Sequence, residues 1–136
     1  MKQEDKDLLL KDLCARSPYG VKCRVYNDTY IKTLSGVLSG NVYNQLYFIE
    51  LDWKDCNGFV DVRYCKPYLF PLSSMTEEQK KEFNSYFASV PYYGDNIHIP
   101  YYSIELLIDF YNKHHLDWRG LIPMGLANDA TGKNIY

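Results

Sequence analysis

Residues 112–125, Asn-Lys-His-His-Leu-Asp-Trp-Arg-Gly-Leu-Ile-Pro-Met-Gly, gather more chemically capable side chains than any other stretch of the chain. Two adjacent histidines beside an aspartate are the residue types of a metal or acid–base site. Their spacing argues against one. Successive residues on a helix point about 100° apart, so His114 and His115 cannot both face one small ion, and two-histidine helical sites use i, i+4 spacing instead. His114 and Asp117 could share a face if the helix continued, but a catalytic zinc takes three protein ligands and the only other histidine is His98. The stretch reads better as a helix terminus. Lys113, His114 and His115 then complement the exposed carbonyls of the last turn, and Gly120 lets the chain reverse. Leu116, Trp118, Leu121 and Ile122 would anchor a tail, which leaves Asp117 and Arg119 to pair with each other or to meet a partner.

Other constellations are weaker. The chain has no G-x-S-x-G, no P-loop and no G-x-G-x-x-G. Glu77, Glu78 and Glu82 fall where a capped helix would carry a solvated face. Lys22, Arg24 and Lys32 could form a basic strip on adjacent strands, one way for a small barrel to meet nucleic acid, but the net charge of −2 supplies no global attraction for a polyanion. Cys14, Cys23, Cys56 and Cys65 make no C-x-x-C pair, and free thiols in a reducing compartment are the simplest reading, ahead of two disulfides. No cofactor and no metal ligand set is expected. An enzyme would have to bring His98, His114 or His115 together with a carboxylate or a thiol in a pocket.

Hydrophobic periodicity supplies the elements that must position these residues. Leu9, Leu10, Leu13 and Cys14 predict a short helix over 5–16, closed by Ser17-Pro18-Tyr19-Gly20. Alternation at 21–25, β-branched residues at 29–38 with Gly36 as a bulge, and the stretches 42–51 and 59–65 predict four strands in an antiparallel meander. In the last of these Val60, Val62 and Tyr64 share one face. Turns are expected at Asn27-Asp28, Ser39-Gly40-Asn41 and Asn57-Gly58. A sheet of this size can curl into a small half-open barrel. The two prolines of Lys66-Pro-Tyr-Leu-Phe-Pro-Leu72 mark the end of strand structure. Thr76-Glu77-Glu78-Gln79 is a capping box, and Phe83, Tyr86, Phe87 and Val90 give the helix that follows a buried stripe. Ser103 can cap a last helix with Ile104, Leu107, Ile108 and Tyr111 as its stripe, running to about His115. The fold class is therefore α+β: one domain over 1–136, with a sheet-forming part at about 18–70 and a helical part at about 74–136, closed by an ordered tail.

Fourteen tyrosines are unusual for this length. A tyrosine offers a large ring with a polar tip at low side-chain entropy, which suits contact surfaces. Residues 90–103, rich in tyrosine and proline, form a connection too long to be incidental and are a candidate binding loop. The expected contact residues are Tyr92, Tyr93, Tyr101, Tyr102, Trp118 and Arg119.

The blocks "LKDLCARSPYGVK", "KPYLFPLSSMTEEQKKEF" and "NKHHLDWRGLIPMGLA" together resemble a group of small uncharacterised proteins encoded by Bacteroides-type gut bacteria and by their phages and mobile elements. The resemblance implies a cytoplasmic, phage-derived or bacterial protein and carries no activity or site residues with it. The start of the chain lacks the apolar run of a secretory signal, and no apolar stretch is long enough to span a membrane, which points the same way. A non-enzymatic binding or regulatory module with a protein partner is the expected function. A small-barrel nucleic-acid-binding protein is the alternative, and an enzyme using His98, His114 or His115 the second.

Overall fold

The computed structural model describes residues 1–25, 31–39, 44–48, 59–88, 92–93, 96–97 and 101–136. The Asn27-Asp28 and Asn57-Gly58 turns, Cys56, Val90 and His98 lie outside the described residues, as does most of the Ser39-Gly40-Asn41 turn.

Helix α1 (Gln3–Arg16) buries Leu9, Asp12, Leu13 and Arg16, an i, i+3, i+4, i+7 stripe in which two positions are charged. Leu10 is only half-buried and Cys14 is exposed. The stripe is thus rotated from the one that apolar periodicity selects, because Asp12 and Arg16 neutralise each other and can enter the core together. A 3-10 turn (Ser17–Tyr19) follows, and Gly20 reverses the chain at φ 66.

Strand β1 (Lys22–Val25) sends Cys23 and Val25 inward, with Lys22 half-buried and Arg24 exposed. It is flanked by β2 (Ile31–Ser39), which pairs in turn with β3 (Asn44–Phe48) and through it with β4 (Phe59–Asp61). The β2–β3 register shifts between Leu34 and Gly36, the bulge that the glycine marks in sequence. The fourth strand is shorter than its alternation suggests. Asp61 accepts the Arg63 amide at 2.9 Å, which turns the chain into a 3-10 segment (Val62–Tyr64); Val62 stays buried, whereas Tyr64 is 46% exposed.

A further strand, β5 (Cys65–Leu69), then pairs antiparallel with β1 despite containing Pro67, which stands opposite Cys23. The proline is tolerated because its other edge carries no strand among the described residues: the parallel pairing of β5 with β8 (Asn128–Asp129) begins only at Tyr68. The sheet order is β4, β3, β2, β1, β5, β8. It is therefore a mixed sheet rather than the purely antiparallel meander that the sequence suggests. β4 and β5 have three strands between them in that order yet are joined by only three residues, so the sheet curls strongly; no ladder between them closes a barrel among the described residues.

Thr76 and Gln79 exchange the two bonds of a capping box, Gln79 N–H to Thr76 Oγ1 at 3.1 Å and Thr76 N–H to Gln79 Oε1 at 3.0 Å, and α2 (Glu77–Ala88) starts there. A two-stranded hairpin of β6 (Tyr92–Tyr93) and β7 (Asn96–Ile97) leads to α3 (Tyr101–Lys113). Tyr101, Tyr102 and Ser103 thus belong to the helix itself, which begins before the expected Ser103 cap. Phe110 is 1% exposed and meets Phe83 and Tyr86 of α2 with ring centroids 5.9 Å apart. Ile104, expected on the buried stripe, is 46% exposed. No helix among the described residues is long and apolar enough to cross a membrane.

Leu9 and Leu13 of α1, Val21, Cys23, Val25, Leu34, Val60, Val62, Cys65 and Leu69 of the sheet region, and Leu121, Leu126 and Ala127 of the tail share one core. Leu13 is completely buried at its centre. Leu13→Ala should lower the unfolding free energy by about 3 kcal/mol, measured by urea denaturation, whereas a loss under about 1 kcal/mol would mean that α1 does not seal this core.

Candidate functional site

The 112–125 stretch forms the corner where α3 stops and the tail begins. The stop is a Schellman motif: the Leu116 amide donates to the Tyr111 carbonyl at 2.9 Å and the His115 amide to the Asn112 carbonyl at 3.2 Å. The left-handed position of that motif normally favours glycine, but His115 occupies it at φ 55. Gly120, at φ 73, serves a later bend. The chain then leans on β5, with the Phe70 amide donating to the His115 carbonyl and the Asp117 amide to the Phe70 carbonyl, both at 2.8 Å.

The two histidines part company here. His114 Nε2 lies 2.9 Å from Glu82 Oε2 on α2. The His115 ring stacks on Tyr136, centroids 3.8 Å apart, and its buried Nδ1 finds no partner among the described residues. Burial, with the Arg16 charge second, holds the His115 imidazolium down to about pH 4. The Tyr136 hydroxyl bridges two strands, accepting from the Lys22 amide at 2.9 Å and donating to the Tyr68 carbonyl at 2.7 Å.

Beneath the corner lies a buried charge cluster. Arg16 and Asp12 are both inaccessible to solvent; Arg16 Nε donates to Asp12 Oδ2 at 2.7 Å and its Nη2 to the Leu116 carbonyl at 2.7 Å. Arg119 Nε donates to the other Asp12 oxygen at 3.1 Å, and its guanidinium carbon sits 4.0 Å from the centroid of the Trp118 ring. Trp118 stacks on Tyr111 and donates its Nε1–H to Asn112 Oδ1 at 3.1 Å. Asp117, 7% exposed, accepts the amides of Leu121 and Ile122 at 2.7 and 2.8 Å.

The expected contact residues therefore divide. Trp118 and Arg119 come together, but Arg119 is held between Trp118 and Asp12 with its side chain 15% exposed. The backbone puts Tyr92 and Tyr93 on the β6 hairpin and Tyr101 and Tyr102 in the first turn of α3. Sequence alone does not single out Arg16 and Asp12, whose i, i+4 spacing reads as an ordinary exposed pair. Sequence proximity also groups Lys32 with Lys22 and Arg24. The register sets Lys32 opposite Cys23 and Lys22 opposite Thr33, so Lys32 lies on the other face of the sheet from Lys22 and Arg24.

Two titratable groups of the described residues are tuned away from catalysis. Glu82 accepts from Tyr86 and Lys113 as well as His114, and the Lys113 ammonium first, with the other donors, holds its carboxyl down to about 2, too low for a general base at neutral pH. Burial pushes the Cys23 thiol well above the ordinary range, the reverse of what a nucleophile needs. Among the described residues no group of three or more His, Cys, Asp or Glu is placed to hold a metal ion. Comparisons of the chain with models of protein families, with curated proteins and with solved structures give no match.

Two outcomes follow from the corner. Asp117→Ala would orphan two amides, one of them buried, and should cost about 2–4 kcal/mol in urea denaturation, with Asp117→Asn intermediate; a neutral Asp117→Ala would show that the 117–122 turn holds itself. His115 binds its proton more weakly in the fold, near pH 4, than at its ordinary 6.5, so the unfolded chain is favoured by acid. Stability should be fully present above about pH 6.5 and fall by about 2 kcal/mol as the pH drops to 4, a fall that His115→Phe removes. If the His115→Phe curve parallels the parent curve over that window, His115 is not the titrating group.

Proposed function

We propose that this protein is a non-enzymatic binding or regulatory module that engages a protein partner through α3 and the tyrosine-rich segment leading into it. The observation that carries the reading is the apolar excess of α3. Phe110 fills the core, yet Ile104 and Leu106 on the same helix stand 46% and 44% exposed. An amphipathic surface helix keeps its apolar residues on the buried stripe, and Ile104 and Leu106, about 200° apart around α3, leave apolar surface on two sides of it for a partner groove to cover. Tyr101 and Tyr102 begin this helix, and Tyr92 and Tyr93 lie on the hairpin that precedes it. Regular backbone under aromatic residues lowers the entropy lost on binding. The titration behaviour of Glu82, Cys23 and His115 supports binding over catalysis, since each is shifted away from the range useful at neutral pH. A small half-open barrel with a helical cover remains the architecture we infer for this module, supported by the three-residue link between β4 and β5.

Affinity capture from a native host lysate tests the reading, using the parent chain and an Ile104→Ser/Leu106→Ser variant with and without nuclease. Both positions are exposed, so the variant should stay within about 0.5 kcal/mol of the parent in stability. A protein partner that survives nuclease and is lost by the variant is the expected result. Capture of no nuclease-resistant partner, or of nuclease-resistant partners that bind parent and variant equally, would overturn it.

A further inference from the structure

We infer a second docking surface, independent of the α3 reading: the outer face of β2, β1 and β5, which we propose binds single-stranded nucleic acid through its phosphates. The register builds it. Arg24 stands between Ile31 on β2 and Lys66 on β5, so two exposed cations face each other directly across an antiparallel pair. Like charges in that position repel and weaken a sheet. Lys22 lies two residues from Arg24 on the same face, where its Nζ donates to Thr33 Oγ1 at 2.9 Å. Neither Arg24 nor Lys66 has an ion-pair partner among the described residues, although the chain as a whole is acidic with a net charge of −2. The outward positions opposite the cations are Ile31 and Thr33, neither of them a carboxylate.

The spacing selects the ligand. Lys22 and Arg24 are about 7 Å apart along the strand and Lys66 about 5 Å to the side. Three cations this close suit a polymer whose negative charges follow one another at every unit. Separate protein carboxylates would first have to be crowded against their own repulsion. A three-strand face is too narrow to track both backbones of a duplex, whereas a single strand can lay its phosphates on the cations and its bases on neighbouring rings. Tyr136 supplies one such ring beside Lys22: His115 covers one of its faces, and the residue is 42% exposed.

The test is fluorescence anisotropy with a short labelled oligothymidylate, read between ~50 and ~200 mM KCl. Three neutralised phosphates predict a log–log salt slope of about −2, and Arg24→Gln and Lys66→Gln should each reduce its magnitude by about 0.7. Because each substitution removes a repulsion, the melting temperature should hold or rise while affinity falls, a combination that a merely structural role cannot produce. Lys11→Gln, at an exposed position on α1, should leave the slope unchanged. The proposal fails if the oligonucleotide does not bind, if Lys11→Gln weakens binding as much as Lys66→Gln, or if affinity is lost only together with melting temperature. It also fails if polyglutamate at equal charge concentration displaces the oligonucleotide, which would assign the face to an acidic protein segment.

Discussion

A guanidinium with no access to solvent organises this molecule. Arg16 reaches from the last turn of α1 to the Leu116 carbonyl, just past the end of α3, and its own helix supplies the Asp12 carboxylate that neutralises it. Burying two charges is expensive, and such a pair adds little net stability over well-packed apolar residues. Its consequence is specificity. With one partner in place the other must be satisfied, because an uncompensated buried charge costs about 3–5 kcal/mol. The position of α1 and the path of the chain after α3 are therefore fixed together. Arg119 strengthens the tie by taking the second Asp12 oxygen from the tail side.

The rest of the corner follows from that constraint. To bring the Leu116 carbonyl to Arg16, α3 must end abruptly, and the Schellman turn at His115 does this at the expense of a left-handed non-glycine backbone. The histidine is retained in that position by its ring, which lies flat on Tyr136, while the Tyr136 hydroxyl ties β1 to β5. Residues 115–117 and then β8 continue along β5, so that the tail becomes part of the sheet. A charge buried in the first helix and the short strand at Asn128–Asp129 are parts of one device.

Much of this was legible in the residues themselves. The capping box at Thr76, the alternation around Cys23, the bulge at Gly36 and the helix end near His115 all rest on local chemistry that a short window contains. The misreadings share a different origin. Apolar periodicity misplaces the α1 stripe because it counts Asp12 and Arg16 as polar, and their partners Leu116 and Arg119 lie about a hundred residues away. β5 is hidden from the sequence because Pro67 is forbidden only where both strand edges are paired, a condition set by where β8 begins. Sequence distance groups Lys32 with Lys22 and Arg24 and leaves out Lys66, because which cations share a face depends on register. In the candidate site, the sequence offers Asp117 as the neighbour of Arg119, whereas Arg119 bonds the buried Asp12 and Asp117 takes two backbone amides, a division invisible without the fold.

The central claim is that the Arg16 guanidinium couples α1 to the tail. Native-state hydrogen exchange on an Arg16→Met variant tests it most directly. Methionine keeps much of the side-chain volume while removing the donors to Asp12 and Leu116. The account predicts that the amides of Asp117, Leu121 and Ala130, together with Phe70, lose protection by a common factor while those of the β1–β2 ladder keep most of theirs. Unchanged protection of the tail amides in a folded variant would contradict it, and would mean that the tail holds to the sheet without the buried charge.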